Sequence, residues 1–131
     1  MAKCDACGGK MTGLAHIGIF VKSIEESNKF YIDQLGFENA GRYGNLQFLR
    51  VGSCILELVE IADYKPRPAG VIDHIAIEVE DIEKLVCKLT EKRFPFSGEI
   101  KTMPDLCGGV KNLFFEGPDG ERLEFFEYLN K

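Results

Sequence analysis

"LAHIGIFVKSIE" at residues 14–25 and "IDHIAIEVEDIE" at residues 72–83 are two copies of one pattern. The chain has only two histidines, His16 and His74, and they hold the same place in the two copies. In the first copy Ile17, Ile19 and Val21 alternate with His16, Gly18 and Phe20, the period of a strand with two unlike faces. The period then changes. In "SIEESNKFYIDQLG" the residues Ile24, Ser27, Phe30, Tyr31 and Leu35 follow helical spacing, Ser23 is placed to cap with Glu26 as its capping-box partner, and Gly36 ends the run.

Working outward, "FENAGRY", "LQFLRV" and "CILELVEI" read as three strands, separated by Gly44 with Asn45 and by Gly52 with Ser53. The second copy repeats the order. "VIDHIAIEV" is a strand, Asp81 is placed to cap a helix reaching about Arg93, and "FSGEI", "VKNLFFE" and "RLEFFEYL" read as strands, with "EGPDGE" as a turn. "LELVE" (56–60) in the first copy mirrors "LEFFE" (123–127) in the second. The prolines of "ADYKPRPAG" suit neither a helix nor an inner strand, so residues 62–70 link the copies. The expectation is an α+β fold of two βαβββ modules, residues 13–61 and 71–131, whose curved mixed sheets pair about a pseudo-twofold axis. Residues 1–12 read as a flexible tail.

Composition narrows the function classes. The chain has 131 residues, 45% hydrophobic and 28% charged, which suits one globular domain. Its net charge of -5 disfavours nucleic acid as a partner, and no apolar run is long enough to cross a membrane. The start, "MAKCDACGGKMTG", lacks the apolar stretch of a signal peptide, so the expected compartment is the cytoplasm. Five cysteines without secretory context suggest reduced thiols. Cys4 and Cys7 have metal-ligand spacing, but no second close pair completes a zinc site.

Strand alternation assigns faces. With Ile17, Ile19 and Val21 beneath a helix, His16 projects from the opposite, concave face, and His74 does the same in its copy. Glu57 lies between Leu56 and Leu58, and Glu124 between Leu123 and Phe125, so each module offers a histidine from its first strand and a carboxylate from its last. Two imidazoles and two carboxylates converging in a concave site suit a first-row divalent metal: zinc, nickel, cobalt, manganese or iron. Phe20, Glu78, Lys111, Asn112 and Arg122 are candidates for contact with substrate, and Tyr43, Phe48 and Phe126 for the pocket wall.

On "HIGIFVKSIEESNKFYIDQLGFE", "DHIAIEVEDIE" and "GPDGERLEFFE", the chain from about Gly13 to Tyr128 resembles the vicinal oxygen chelate superfamily of glyoxalase I, methylmalonyl-CoA epimerase, extradiol dioxygenases and bleomycin-binding proteins. The resemblance is strongest to glyoxalase I, whose His, Glu, His, Glu metal set falls on His16, Glu57, His74 and Glu124. It implies a metal-dependent lyase or isomerase that moves a proton through a metal-stabilised enediolate on a small substrate with vicinal oxygens. Glu124 resembles the carboxylate that leaves the metal to act as base, and Glu57 the one on the other face. It also implies a homodimer, in which the modules that share a site belong either to one chain or to two. Glutathione-using bacterial members carry an Arg and an Asn where this chain has Phe20 and Ile61, so glutathione dependence does not carry over. An epimerase acting beside a thioester and a non-catalytic small-molecule binder are the alternatives.

Overall fold

The computed structural model describes Gly9, residues 12–66 and residues 70–131. Cys4 and Cys7 lie outside the described residues. Module one runs β1 (Ile17–Val21), α1 (Ile24–Asn28) passing into a π-helical stretch (Lys29–Gln34), β2 (Glu38–Tyr43), β3 (Leu46–Val51) and β4 (Cys54–Glu60). Module two runs β5 (Ile75–Glu78), α2 (Ile82–Glu91), β6 (Lys101–Met103), β7 (Val110–Glu116) and β8 (Arg122–Tyr128).

Each module closes its own sheet, in the orders β1-β4-β3-β2 and β5-β8-β7-β6. First and last strands pair in parallel, with Ile17 beside Leu56 and Ile75 beside Leu123, while the others are antiparallel. The helix between the first two strands makes the parallel crossover possible. Val21, Leu56 and Leu58, with Leu123 and Phe125, bury the helix-covered faces in one core that spans both modules. Phe30 of the π-helical stretch meets Phe94 at 5.4 Å between ring centroids. A polar seam reinforces that junction: Tyr31 donates to Glu121 at 2.8 Å, and Tyr64 donates to the Asp119 carbonyl at 2.7 Å. Glu121 also accepts the Asp119 N–H at 2.8 Å. Burial lifts the Glu121 carboxyl above its usual range, and burial beside Glu121 lifts the Tyr31 phenol well above its own.

Two local expectations change and one holds. "FSGEI" is not a strand; the pairing that forms is Lys101–Met103 against Val110–Asn112, beyond the proline and glycine of "FPFSG". Ser23 does cap α1, accepting the Glu26 N–H at 3.3 Å. Asp81 does not cap α2: it takes a left-handed conformation (φ 56°) and its side chain makes no capping bond. Glu127 does that work, accepting the N–H groups of Asp81 at 2.6 Å and Ile82 at 3.1 Å. Glu60 does the same in module one, accepting the Ile24 N–H at 2.7 Å. The closing Glu of "LELVE" and of "LEFFE" therefore pins the module's helix to its last strand, satisfying amide donors that a helix start leaves orphaned.

Candidate metal centre

Each module forms the expected pair. In module one, His16 stands just ahead of β1 with Nε2 3.7 Å from Glu57 Oε1. Gly18 leaves the room for this carboxylate, since a β-carbon there would sit 3.2 Å from Glu57 Oε1. In module two, His74 Nε2 lies 3.2 Å from Glu124 Oε1. Leu123 and Phe125 are buried under the helix, so Glu124 between them is carried to the other face, where it is only 5% exposed.

The second pair is embedded in a polar network. His74 Nδ1 is 2.8 Å from Asp73 Oδ2, which also receives Arg122 Nη1 at 2.5 Å. The hydrogen bond from His74 is the main reason the Asp73 carboxyl sits below its usual range, and Arg122 acts in the same direction. An ionised Asp73 only accepts, so Nδ1 carries the ring proton. When the ring is neutral, Nε2 then turns a lone pair toward a carboxylate, two acceptors with space for a cation. Asn112 donates from Nδ2 to Glu124 Oε2 at 2.7 Å, a buried bond. The Phe114 ring lies edge-on to His74 (5.2 Å), with the Arg122 guanidinium 4.1 Å above it.

The two pairs do not merge within one chain. Among the described residues no three His, Cys, Asp or Glu side chains gather closely enough to hold an ion. Each sheet keeps its own histidine and carboxylate, and two donors are too few for a stable site of this kind.

The remaining candidates divide by face. Phe20 is 46% exposed and lines a cavity of about 290 Å³ with Gly18, Asp73, His74 and Arg122. Glu78 pairs with Lys131. Lys111 pairs with Glu83 of α2, which puts it on the helix-covered side of β7 and away from the histidine. Asn112 points to Glu124 rather than into open space. Phe48 stands edge-on to His16 at 6.0 Å and Tyr43 packs on Phe48, while Phe126 packs on Tyr128. Asp73 is the site residue that the sequence reading missed. Its position directly before His74, with Ala15 before His16, is the one sequence signal that marks it.

A chain of two βαβββ modules, each presenting a His and a Glu from its parallel outer strand pair, has the architecture of the vicinal oxygen chelate fold. The model of the Glyoxalase/Bleomycin resistance protein/Dioxygenase superfamily matches residues 13–125, and the chain belongs to that superfamily. It is 30% identical over 122 residues to an uncharacterized protein, YwbC, of Bacillus subtilis (strain 168), covering 86% of this chain and 94% of YwbC. A glyoxalase family protein of Enterococcus faecalis superposes with a TM-score of 0.70 at 29% identity, over 88% of this chain and 97% of that one. A lactoylglutathione lyase of Agrobacterium tumefaciens shares the fold, with a TM-score of 0.68 at 18% identity over 90% and 95%. Among the described residues no helix is long and apolar enough to cross a membrane.

Proposed function

We propose that this protein is a metal-dependent lyase or isomerase of the glyoxalase type, and that its working unit is a homodimer. In each site His16 and Glu57 of one copy meet His74 and Glu124 of the partner subunit. The observation that carries this reading is the pairing itself: two equivalent His–Glu pairs, at 3.7 and 3.2 Å, with no third ligand near either among the described residues of the same chain. A second copy supplies what each pair lacks. Apolar side chains beside the two histidines point the same way: Leu14 is 90% exposed and its repeat equivalent Ile72 is 73% exposed, surface that a second copy would cover.

The residues would hold a divalent ion through imidazole Nε2 and carboxylate oxygens, and a substrate with oxygens on adjacent carbons suits the positions left open. The ion, when bound, supplies Lewis-acid polarisation of a carbonyl. The chain supplies the rest. Glu57 and Glu124 are the two carboxylates of the site, one of which is free to move a carbon-bound proton while the other holds the ion. Phe20 gives the neighbouring cavity an apolar wall with no grip for the charged end of glutathione, and Arg122 in the same lining is already paired with Asp73.

Complementation tests the shared site. A His16→Ala/Glu57→Ala double variant and a His74→Ala/Glu124→Ala double variant should each lose zinc by elemental analysis. Mixing them through unfolding and refolding should restore zinc to one of the two sites in each mixed dimer, because one copy brings an intact module one and the other an intact module two. No recovery on mixing, with wild type binding zinc, would place the site within a chain. Turnover of methylglyoxal with different thiols then separates a lyase from an epimerase or a binder.

A further inference from the structure

The repeat that makes the two pairs equivalent also shows where they differ. Asp73, Arg122 and Asn112 brace His74 and Glu124. Sheet register identifies their counterparts in module one. Ala15 precedes His16 as Asp73 precedes His74, and Ile55 stands two residues before Glu57 as Arg122 stands before Glu124. Phe48 faces Glu57 as Phe114 faces Glu124, so Leu46 occupies the place of Asn112. Ala15, Ile55 and Leu46 have no polar side-chain atom with which to hold the pair. The Glu57 side chain is 18% exposed against 6% for Glu124, and it lies farther from its histidine.

We infer that the pairs divide the work: module two is the pre-oriented anchor for the cation, with Asp73 and Asn112 as positioning residues, and Glu57 is the carboxylate that leaves the ion to carry the proton. This rests on the proposed shared metal site. It reverses the role that the resemblance gives Glu124. Moving Glu124 would strand a buried amide donor, whereas moving Glu57 strands none at the Leu46 position. Asp73 keeps the proton on Nδ1 and so keeps the lone pair of Nε2 aimed at the ion.

Two histidines make the test direct. In a long-range proton–nitrogen spectrum of nitrogen-15-labelled, metal-free protein at pH 8, where ordinary imidazoles are neutral, His74 should hold its proton on Nδ1. His16 should not show that lock, and Asp73→Ala should give His74 the pattern of His16. Zinc affinity, by competition with a chromogenic chelator, should fall roughly ten- to a hundredfold in Asp73→Ala and in Asn112→Leu. It should fall less in Glu57→Gln than in Glu124→Gln. Asp73 is on the surface, so that arm survives if the buried Asn112→Leu variant fails to fold. In crystals of the zinc protein soaked with acetohydroxamate, a two-oxygen chelator, Glu57 should be off the ion and Glu124 on it. The inference is overturned if Glu124 is the detached carboxylate, if both stay, or if Asp73→Ala changes neither spectrum nor affinity. Wild type that binds no zinc would instead end the proposed function, while the spectrum would still judge Asp73.

Discussion

Module one and module two share a backbone plan and differ in what surrounds it. Both pair first and last strands in parallel, put a His and a Glu on the open face, and close the helix start with the last residue of the "LE..E" segment. Their interiors diverge. On the helix-covered face of the sheet itself, module one carries Leu49, Leu56 and Leu58, with its rings Phe30, Tyr31 and Phe37 off the strands, while module two carries Phe115 and Phe125, which cluster with Phe94 and Phe96 at centroid distances of 4.6 to 6.1 Å. Polar bracing differs too, since among the described residues only module two ties down its pair. The symmetric features are those that the strand register dictates. The asymmetric ones are side chains that register leaves free to vary, and these are where the two halves of a shared site acquire separate tasks.

The helix anchors are the strongest way to break that equivalence. Glu127 accepts two amide N–H groups and Glu60 accepts one, each a bond to a carboxylate oxygen. Bonds of that kind contribute about 1.5 to 3 kcal/mol. Glu127→Ala should therefore cost more than Glu60→Ala in urea denaturation, by about 1 kcal/mol. Equal losses would mean that the second bond at Glu127 contributes nothing.

Much of this was legible in the sequence, because strand alternation is a local signal. Ile17, Ile19 and Val21 against His16 and Gly18 fix the faces of β1, and the repeat carries the same assignment to β5. The same alternation places Lys111 with Leu113 and Phe115 on the helix side, a reading that the spacing allowed. Contacts between distant segments were not legible. Glu60 reaches Ile24 and Glu127 reaches Asp81 across most of a module, and no local pattern marks either as a cap. The mirrored final Glu of "LELVE" and "LEFFE" was the available clue. Asn112 was a candidate for contact with substrate, but its amide is taken up by Glu124, which pairs with Phe114 two residues farther along the strand.

A smaller effect is expected at the seam where the modules join. Burial raises the Glu121 carboxyl above its ordinary value of 4.5, so ionising it in the fold costs more than in the unfolded chain. The stability associated with the protonated form is complete below that ordinary value and is lost as pH rises through the higher folded one. The Tyr31 hydroxyl opposes this by donating to the carboxylate. Tyr31→Phe removes the donor, raises Glu121 further and widens the loss. The variant should be less stable by about 1 to 2 kcal/mol at pH 7, and by less at pH 4. A deficit that is the same at both pH values would disconnect Tyr31 from Glu121.

The least effect, and the one whose sign matters most, concerns the two helix starts. Ser23 has extended backbone (φ -149°) and accepts the Glu26 N–H, so Ser23→Gly removes a real cap and should cost a few tenths of a kcal/mol. Asp81 occupies the equivalent place in left-handed backbone without a capping bond, and its own N–H is already held by Glu127. Glycine relieves that conformation and sacrifices only an exposed contact with Lys84. Asp81→Gly should accordingly raise stability, by up to about 1 kcal/mol after the added freedom of the unfolded chain is counted. If it lowers stability as Ser23→Gly does, Asp81 is capping after all, and the assignment of that role to Glu127 fails with it. A gain would instead show that the two modules start their helices by one shared device, the terminal carboxylate, and that the local cap is an addition peculiar to module one.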